Sequence, residues 1–256
     1  MIIHPTAIIS PKAQLERDVE VGAFSIIGEK VKIERGTKVG SRVFIDGYTS
    51  IGKNCQIFTG AVIGSPPQDL KYQKKKSYIK IGDNNTIREY TTINPGTDEG
   101  DTTRIGNNNF IMAYSHIAHN STLEDEIILA NCATLAGYVY LEKNCVIGGL
   151  VAIHQFCRVG RYAIIGGCSK ITQDILPFSI ADGHPAKPYG VNKVGLKRHN
   201  FSPATIKTLK RAFFYLLGAK LNTSQAIEKI KNNLPSLPEI EYLLNFISSS
   251  KRSVAR

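Results

Sequence analysis

At 256 residues and 28.1 kDa the chain is too long for a small stapled scaffold and fits one large domain or a domain with an appendage. Hydrophobic residues make up 42% and charged residues 21%, mean hydropathy is −0.12, and no apolar run approaches the ~18 residues of a membrane helix, which excludes a disordered chain and a membrane span. The net charge of +11 invites a polyanionic partner, but no Trp, RRM-type aromatic motif, zinc-finger spacing or helix-turn-helix pattern accompanies it, and nucleic acid is not the expected one.

The amino terminus, MIIHPTAIIS, has no basic region followed by an apolar stretch. The five cysteines are odd in number and scattered singly, which does not read as a disulfide framework. A cytoplasmic location is expected. From Ile3 onward the chain repeats in sixes: Ile9, Leu15, Val21, Ile27, Ile33, Val39, Ile45, Ile51, Ile57 and Ile63 continue one phase, which resumes at Ile81 and runs to Ile171. Of the 29 positions from 3 to 171 in steps of six, 26 are aliphatic; Asp69, Lys75 and Glu99 are the exceptions. Two residues before each anchor sits a small or β-branched residue, as at Ala7, Val19, Ser25, Thr37 and Cys55.

A period of six is neither the 3.6 of a helix nor the 2 of a strand with one polar face. It suits short strands joined by tight corners, three hexads making one triangular coil with its anchors stacked inside. Residues 65–78 and 94–104 interrupt the hexads with Pro, Gly and charges and then return to phase, so they are expected as inserted loops, where binding residues commonly lie. After Ile171 comes a Pro/Gly-rich bend. Ser202-Pro203 then predicts a helix start, and Ile206, Leu209, Phe213, Leu216 and Leu217 follow helical spacing to about Gly218. Two further helices are predicted around 223–232 and 238–248. The expected organisation is therefore a β-helix domain over 1–190 and a helical domain over 191–256. Residues 187–256 hold 13 Lys and Arg against three acidic residues, net +10, whereas residues 1–186 hold 19 against 18. That asymmetry favours an acidic macromolecular partner for the helices.

Chemistry has to be sought in sites on this scaffold. His116 and His119 flank an inward anchor, so at least one projects outward. A neutral imidazole there could take a proton from an attacking hydroxyl; spacing alone favours a surface hydrogen-bonding pair, and as a metal site it lacks a third ligand. His154 and Gln155 form a second, weaker candidate. Cys55, Cys145 and Cys157 occupy the small inward position of their hexads and read as core.

The segments GSPPQDLKY (64–72), AYSHIAHN (113–120), ILANCATLAG (128–137), HQFC (154–157), GGCS (166–169), PYGVN (188–192) and GLKR (195–198) resemble the UDP-N-acetylglucosamine 3-O-acyltransferase family of hexapeptide-repeat transferases. The resemblance covers essentially the whole chain. It implies a mainly β fold, a left-handed parallel β-helix with a C-terminal α-helical domain, in a cytoplasmic homotrimer with active sites between adjacent β-helices. It implies transfer of an R-3-hydroxyacyl group from acyl carrier protein to the 3-hydroxyl of UDP-N-acetylglucosamine, the opening step of lipid A synthesis, with no cofactor and no metal. Carried onto this sequence, His119 is the general base and the Gly137 N–H the oxyanion donor. Asp69, Lys71, His116, His154, Gln155, Asn192 and Arg198 match substrate contacts, and Gly167 matches the position that measures acyl length. The acidic partner of the basic helices is then acyl carrier protein. The chain departs from the family pattern at Asn120 (often Asp), Tyr138 (often His), Val194 (Glu), His199 (Arg) and Pro185 (His).

The related UDP-3-O-acylglucosamine N-acyltransferases share scaffold and donor but usually carry an additional amino-terminal domain, whereas hexads here begin at Ile3. A γ-type carbonic anhydrase would need three zinc histidines. A non-catalytic β-helix scaffold predicts a regular ladder of exposed Thr, which the loops and basic helices interrupt.

Overall fold

The computed structural model describes residues 1–256. Two-residue strands, each carrying one hexad anchor, pair in parallel with the strands three hexads further on, from Ile2–Ile3 on Glu20–Val21 to Val146–Ile147 on Ile164–Ile165. They build three sheets of 11, nine and eight strands, the three faces of a triangular left-handed parallel β-helix. The anchors from Val21 to Ile171 are buried and belong to one continuous cluster of 40 residues. Ile3, Ile9 and Leu15 are not fully buried, because no coil lies beneath the first one.

Register explains the three exceptions in the repeat. Tyr48 pairs with Tyr78, five hexads on, and Tyr78 with Thr102, four hexads on. A plain coil takes three hexads, so the first insertion adds two and the second adds one, with no remainder in either case. The first spans two anchor positions, Asp69 and Lys75, and the second spans one, Glu99. The loops are slightly shorter than the sequence suggests. Strands Tyr78–Ile81 and Thr102–Ile105 begin inside the expected loop spans because they pair along their full length with the neighbouring coil.

At most corners the second residue takes the left-handed conformation, usually reserved for Gly, Asn or Asp. Asn54, Asn84, Asn108, Asn120 and Asn144 adopt it cheaply. Tyr138 (φ 60°) and Phe156 (φ 65°) offset the strain by stacking on each other at 4.7 Å.

Beyond Ile171 the expected bend contains an antiparallel hairpin, Ser179–Gly183 with Ala186–Val191, which adds to the 11-stranded sheet. Four α-helices follow: α1 (Lys193–Arg198), α2 (Pro203–Phe213), α3 (Thr223–Asn233) and α4 (Pro238–Ser249), with a π-turn at Phe214–Gly218 after α2. The short α1 carries too little pattern to be read from sequence. Ser202 caps α2 with Pro203 at its first position, and Asn222 and Gln225 form a reciprocal capping box on α3. Phe178, Leu196, Leu209, Phe213, Leu243 and Phe246 anchor a second apolar cluster beneath these helices. The tail then returns to the prism. Asp174 N–H donates to Ser253 O, Ala255 N–H donates to Asp174 O, and Ala255 joins the β-helix core.

Candidate active site

Successive coils stack, so residues three hexads apart occupy the same corner. His119, Gly137 and Gln155 therefore lie in one column along one edge of the prism, the His119 edge: Tyr138 N–H donates to His119 O at 3.0 Å and Phe156 N–H to Gly137 O at 3.1 Å. Both insertions leave the prism at this same edge, after strands Val62–Ile63 and Thr92–Ile93, which precede His116–Ile117 in the same sheet. The loops are tied to each other. Asn94 Nδ2 donates to Ser65 O at 3.0 Å, Lys75 pairs with Asp98 at 2.7 Å, and Gly100 N–H donates to Lys76 O at 2.9 Å. Two loops from consecutive coils thus wall one side of the His119 column.

The His119 side chain is 14% exposed, and its Nε2 lies 4.0 Å from Asp69 Oδ2, brought in by the first loop. Its Nδ1 lies 2.9 Å from Asn120 Oδ1. That oxygen also accepts the Thr97 backbone N–H at 3.2 Å, and a backbone N–H can only donate. The atom is therefore the carbonyl end of the amide and His119 Nδ1 is the donor to it, so in the neutral imidazole the lone pair lies on Nε2. Tyr138 meets the imidazole edge-on at 5.4 Å and its hydroxyl lies 3.3 Å from Thr97 Oγ1, so the residue at this departure from the family pattern buttresses the ring.

Gly137 faces the imidazole. A Cβ there would sit 2.4 Å from His119 Cε1 and 2.6 Å from Nε2, so only glycine leaves room for the ring as it stands. The Gly137 N–H has no hydrogen-bond acceptor within the chain. A lone pair and a free N–H therefore lie at one corner. His116 bonds through Nδ1 to Thr92 Oγ1 at 2.7 Å, and burial, followed by the charge of His119, holds its pKa below the ordinary imidazole value. Lys71 is exposed on the first loop, its N–H held by Asp69 Oδ1 at 2.8 Å; His154 and Gln155 are exposed one coil beyond Gly137 on the same edge.

The remaining sequence-predicted residues lie elsewhere. Gly167 stacks over Gly149 on a different edge of the prism, the Gly149 edge, where Cys168 N–H donates to Gly149 O at 2.8 Å. Asn192 is buried as the cap of α1, accepting from Gly195 N–H and donating to Tyr162 O, both at 2.9 Å. Arg198 is exposed in the last turn of that helix. These two lie over the third edge, the Asp125 edge, where Tyr162 N–H donates to Lys143 O. Within one chain none of the three reaches His119. No three His, Cys, Asp or Glu side chains gather anywhere at metal-binding spacing.

Against known families, residues 102–137 match the bacterial transferase hexapeptide profile (six repeats), and residues 174–255 match the profile of UDP N-acetylglucosamine O-acyltransferase, domain 2. The acyl-[acyl-carrier-protein]–UDP-N-acetylglucosamine O-acyltransferase of Thermodesulfovibrio yellowstonii is 53% identical over 99% of both chains, and that of Syntrophobacter fumaroxidans 45% over the whole of both. The chain belongs to the UDP-N-acetylglucosamine O-acyltransferase family. The solved family structure from Bacteroides fragilis superposes with a TM-score of 0.97 at 39% identity, covering all of both chains. The one from Campylobacter jejuni gives 0.92 at 41%, covering 99% of this chain and 98% of that one.

In this acyltransferase the sequence reading missed Thr97, Thr103 and Asp101 as neighbours of the His119 corner. Asn120 N–H donates to Thr103 Oγ1 at 2.9 Å, and Asn120 Nδ2 donates to Asp101 Oδ2 at 2.7 Å. Their one sequence signal is position: all three lie within the second loop's expected span, 94–104, just ahead of the coil that carries His119.

Proposed function

We propose that the chain transfers an R-3-hydroxyacyl group from acyl carrier protein to the 3-hydroxyl of UDP-N-acetylglucosamine, in the cytoplasm, as the first step of lipid A biosynthesis, with His119 as general base. The observation that carries this reading is the pairing of an imidazole whose Nε2 keeps its lone pair with the unpartnered Gly137 N–H. Nε2 takes the proton of the sugar 3-hydroxyl as its oxygen attacks the thioester carbonyl. The C–O bond forms, and the oxyanion is met by the Gly137 N–H, a donor already in place. Collapse breaks the C–S bond, and the leaving thiolate recovers the proton from His119. A thiolate is a far better leaving group than an alkoxide, so these two groups suffice for the step without a cofactor. Asp69 and Lys71 in the first loop, with His116, His154 and Gln155, would hold the sugar nucleotide along the same edge.

Gly167, Asn192 and Arg198 enter the site if a second copy supplies them, and the surface supports such an assembly. Phe24, Tyr90, Tyr114 and Leu150 lie on the Gly149 edge and expose half or more of their surface in the single chain. We assign this ridge to a homotrimer, in which the Gly167 of one copy would limit the acyl chain approaching the His119 of its neighbour. Lys207, Lys210 and Arg211 line one groove with Phe214 and Tyr215 on α2 and the π-turn, a surface suited to the acidic carrier protein.

The test supplies the purified protein with UDP-N-acetylglucosamine and a mixture of 3-hydroxyacyl carrier proteins, and reads products by mass spectrometry. An O-acylated sugar nucleotide is expected, with turnover falling by roughly 10²–10⁴ in His119→Ala while the oligomer persists. Absence of product from every donor would overturn the activity. Full turnover in His119→Ala would remove the base.

A further inference from the structure

Asn120 is an amide whose two ends are fixed by partners of opposite kind. Its Oδ1 accepts from the Thr97 N–H, the Thr97 hydroxyl and His119 Nδ1, at 3.2, 3.2 and 2.9 Å. Its Nδ2 donates to Asp101 Oδ2 at 2.7 Å, and an ionised carboxylate can only accept. The corner backbone is pinned as well, at φ 61° with its N–H on Thr103. Asp101 thus stands one hydrogen-bonded amide away from the imidazole, and its charge polarises that amide towards the ring.

We propose that Asp101 is a positioning residue for acyl transfer, its carboxylate acting through Asn120 to hold His119 with the proton on Nδ1 and the lone pair on Nε2. This rests on the reading of His119 as the base. Without the carboxylate, the amide loses the charged partner on its donor end, and only the Thr97 N–H, at 3.2 Å on its oxygen, still constrains the imidazole tautomer.

The arrangement makes an unusual demand: the acid and the amide should be interchangeable. With Asp at 120, the carboxylate accepts from the same three donors. With Asn at 101, the amide donates back to it. Only the Asp98 N–H, which Asp101 Oδ2 now accepts at 3.1 Å on the exposed loop, must turn to water. Either single exchange disturbs the pattern. Asn120→Asp sets two carboxylates at hydrogen-bonding distance, and Asp101→Asn leaves a carbonyl oxygen for Asn120 Nδ2 but removes the charge that polarises that amide towards the ring.

The expected result is a drop in kcat of about tenfold or more for each single variant, with KM for the sugar nucleotide within about twofold, and recovery to within about threefold of the parent in the Asp101→Asn/Asn120→Asp double variant. A double variant no better than the worse single one, or single variants with parental kcat, would overturn the proposal. Nitrogen-15 NMR of the histidine rings, with His119 assigned from the His119→Gln difference, gives a readout that mere scaffolding would not move. The parent should carry the proton on Nδ1, and Asp101→Asn should show both tautomers; a parent protonated on Nε2 would overturn the proposal. His119→Ala in the same assay separates the two readings. Retained turnover there removes the base, whereas lost turnover with an Nε2-protonated parent removes Asp101 alone.

Discussion

Along the Asp125 edge, the first N–H of corner after corner is taken by a side chain from a neighbouring coil. Glu16 accepts from Arg35, Asp83 from Lys53, Asn107 from Asp83, Asp125 from Asn107, Glu124 from Lys143 and Glu142 from Arg161, at 2.6–3.1 Å. Along the His119 edge, the equivalent N–H of Gly137 meets no acceptor, and the residue facing it from the coil before is an imidazole in place of a carboxylate. The backbone is the same on both edges, so an available N–H is a property of every corner in this fold. A β-helix produces a candidate oxyanion donor wherever it leaves the capping acid out, and the chemistry lies in which side chain takes the vacated place.

The sharpest way to break this contrast is Gly137→Ala. Gly137 is not among the glycines with positive φ, so the backbone tolerates alanine, but the added Cβ would occupy the space 2.4 Å from His119 Cε1. The ring has to move, and displacement of a catalytic group by about 1 Å costs on the order of 10²-fold in rate. We expect that loss of turnover with an unchanged denaturation midpoint. A parental rate would show that the position of the imidazole against Gly137 is immaterial.

On the opposite side of the comparison the capping acids should matter for stability, most where they are buried. Glu142 is 1% exposed and accepts from Arg158 Nε at 2.6 Å, from Arg161 N–H at 2.8 Å and from the Tyr242 hydroxyl of α4 at 2.5 Å. Burial, then the bond to this carboxylate, pushes the Tyr242 hydroxyl well above its usual pKa, so it remains a donor. Glu142→Gln removes the charge and turns one acceptor into a donor against existing donors, at a cost of about 2 kcal/mol by urea denaturation. Asp125 is exposed, so in Asp125→Ala water replaces it on the Asn107 N–H, and the loss should stay below about 1 kcal/mol. Equal losses at the two sites would mean that burial does not set the value of a cap.

How much of this was legible in the sequence divides along the same lines. The stacking of His119, Gly137 and Gln155 follows from their spacing of three hexads, and the inward anchors follow from the period of six. The inserted loops were visible as interruptions, and their return to phase reflects insertion in whole hexads. What loop residues touch has no period behind it: nothing in the spacing sets Asp69 against His119, or Thr97 and Asp101 around Asn120. The family resemblance marked Asn120 and Tyr138 as departures, and the structure gives each a physical place, one bonded to the imidazole and the other buttressing it. The buried contact of Glu142 with α4 joins two distant stretches of chain through two unrelated periodicities. The closing of the prism by the C-terminal tail likewise had no signal in either pattern.

The smallest expected effect concerns His116, in the strand that leads into the His119 corner. Its folded pKa lies below the ordinary imidazole value, chiefly through burial and secondly through the charge of His119. In the unfolded chain the imidazole titrates near ~6.5. As pH falls through that value the unfolded state binds a proton that the folded state does not, so stability declines until the folded pKa is passed and then levels off. His116→Gln keeps a polar group opposite Thr92 but has no proton to gain in this range. Its denaturation midpoint should therefore lose less than that of the parent between neutral pH and mildly acidic pH. Parallel curves would assign the acid sensitivity to other groups and leave the Thr92 contact as the only role of His116 in stability.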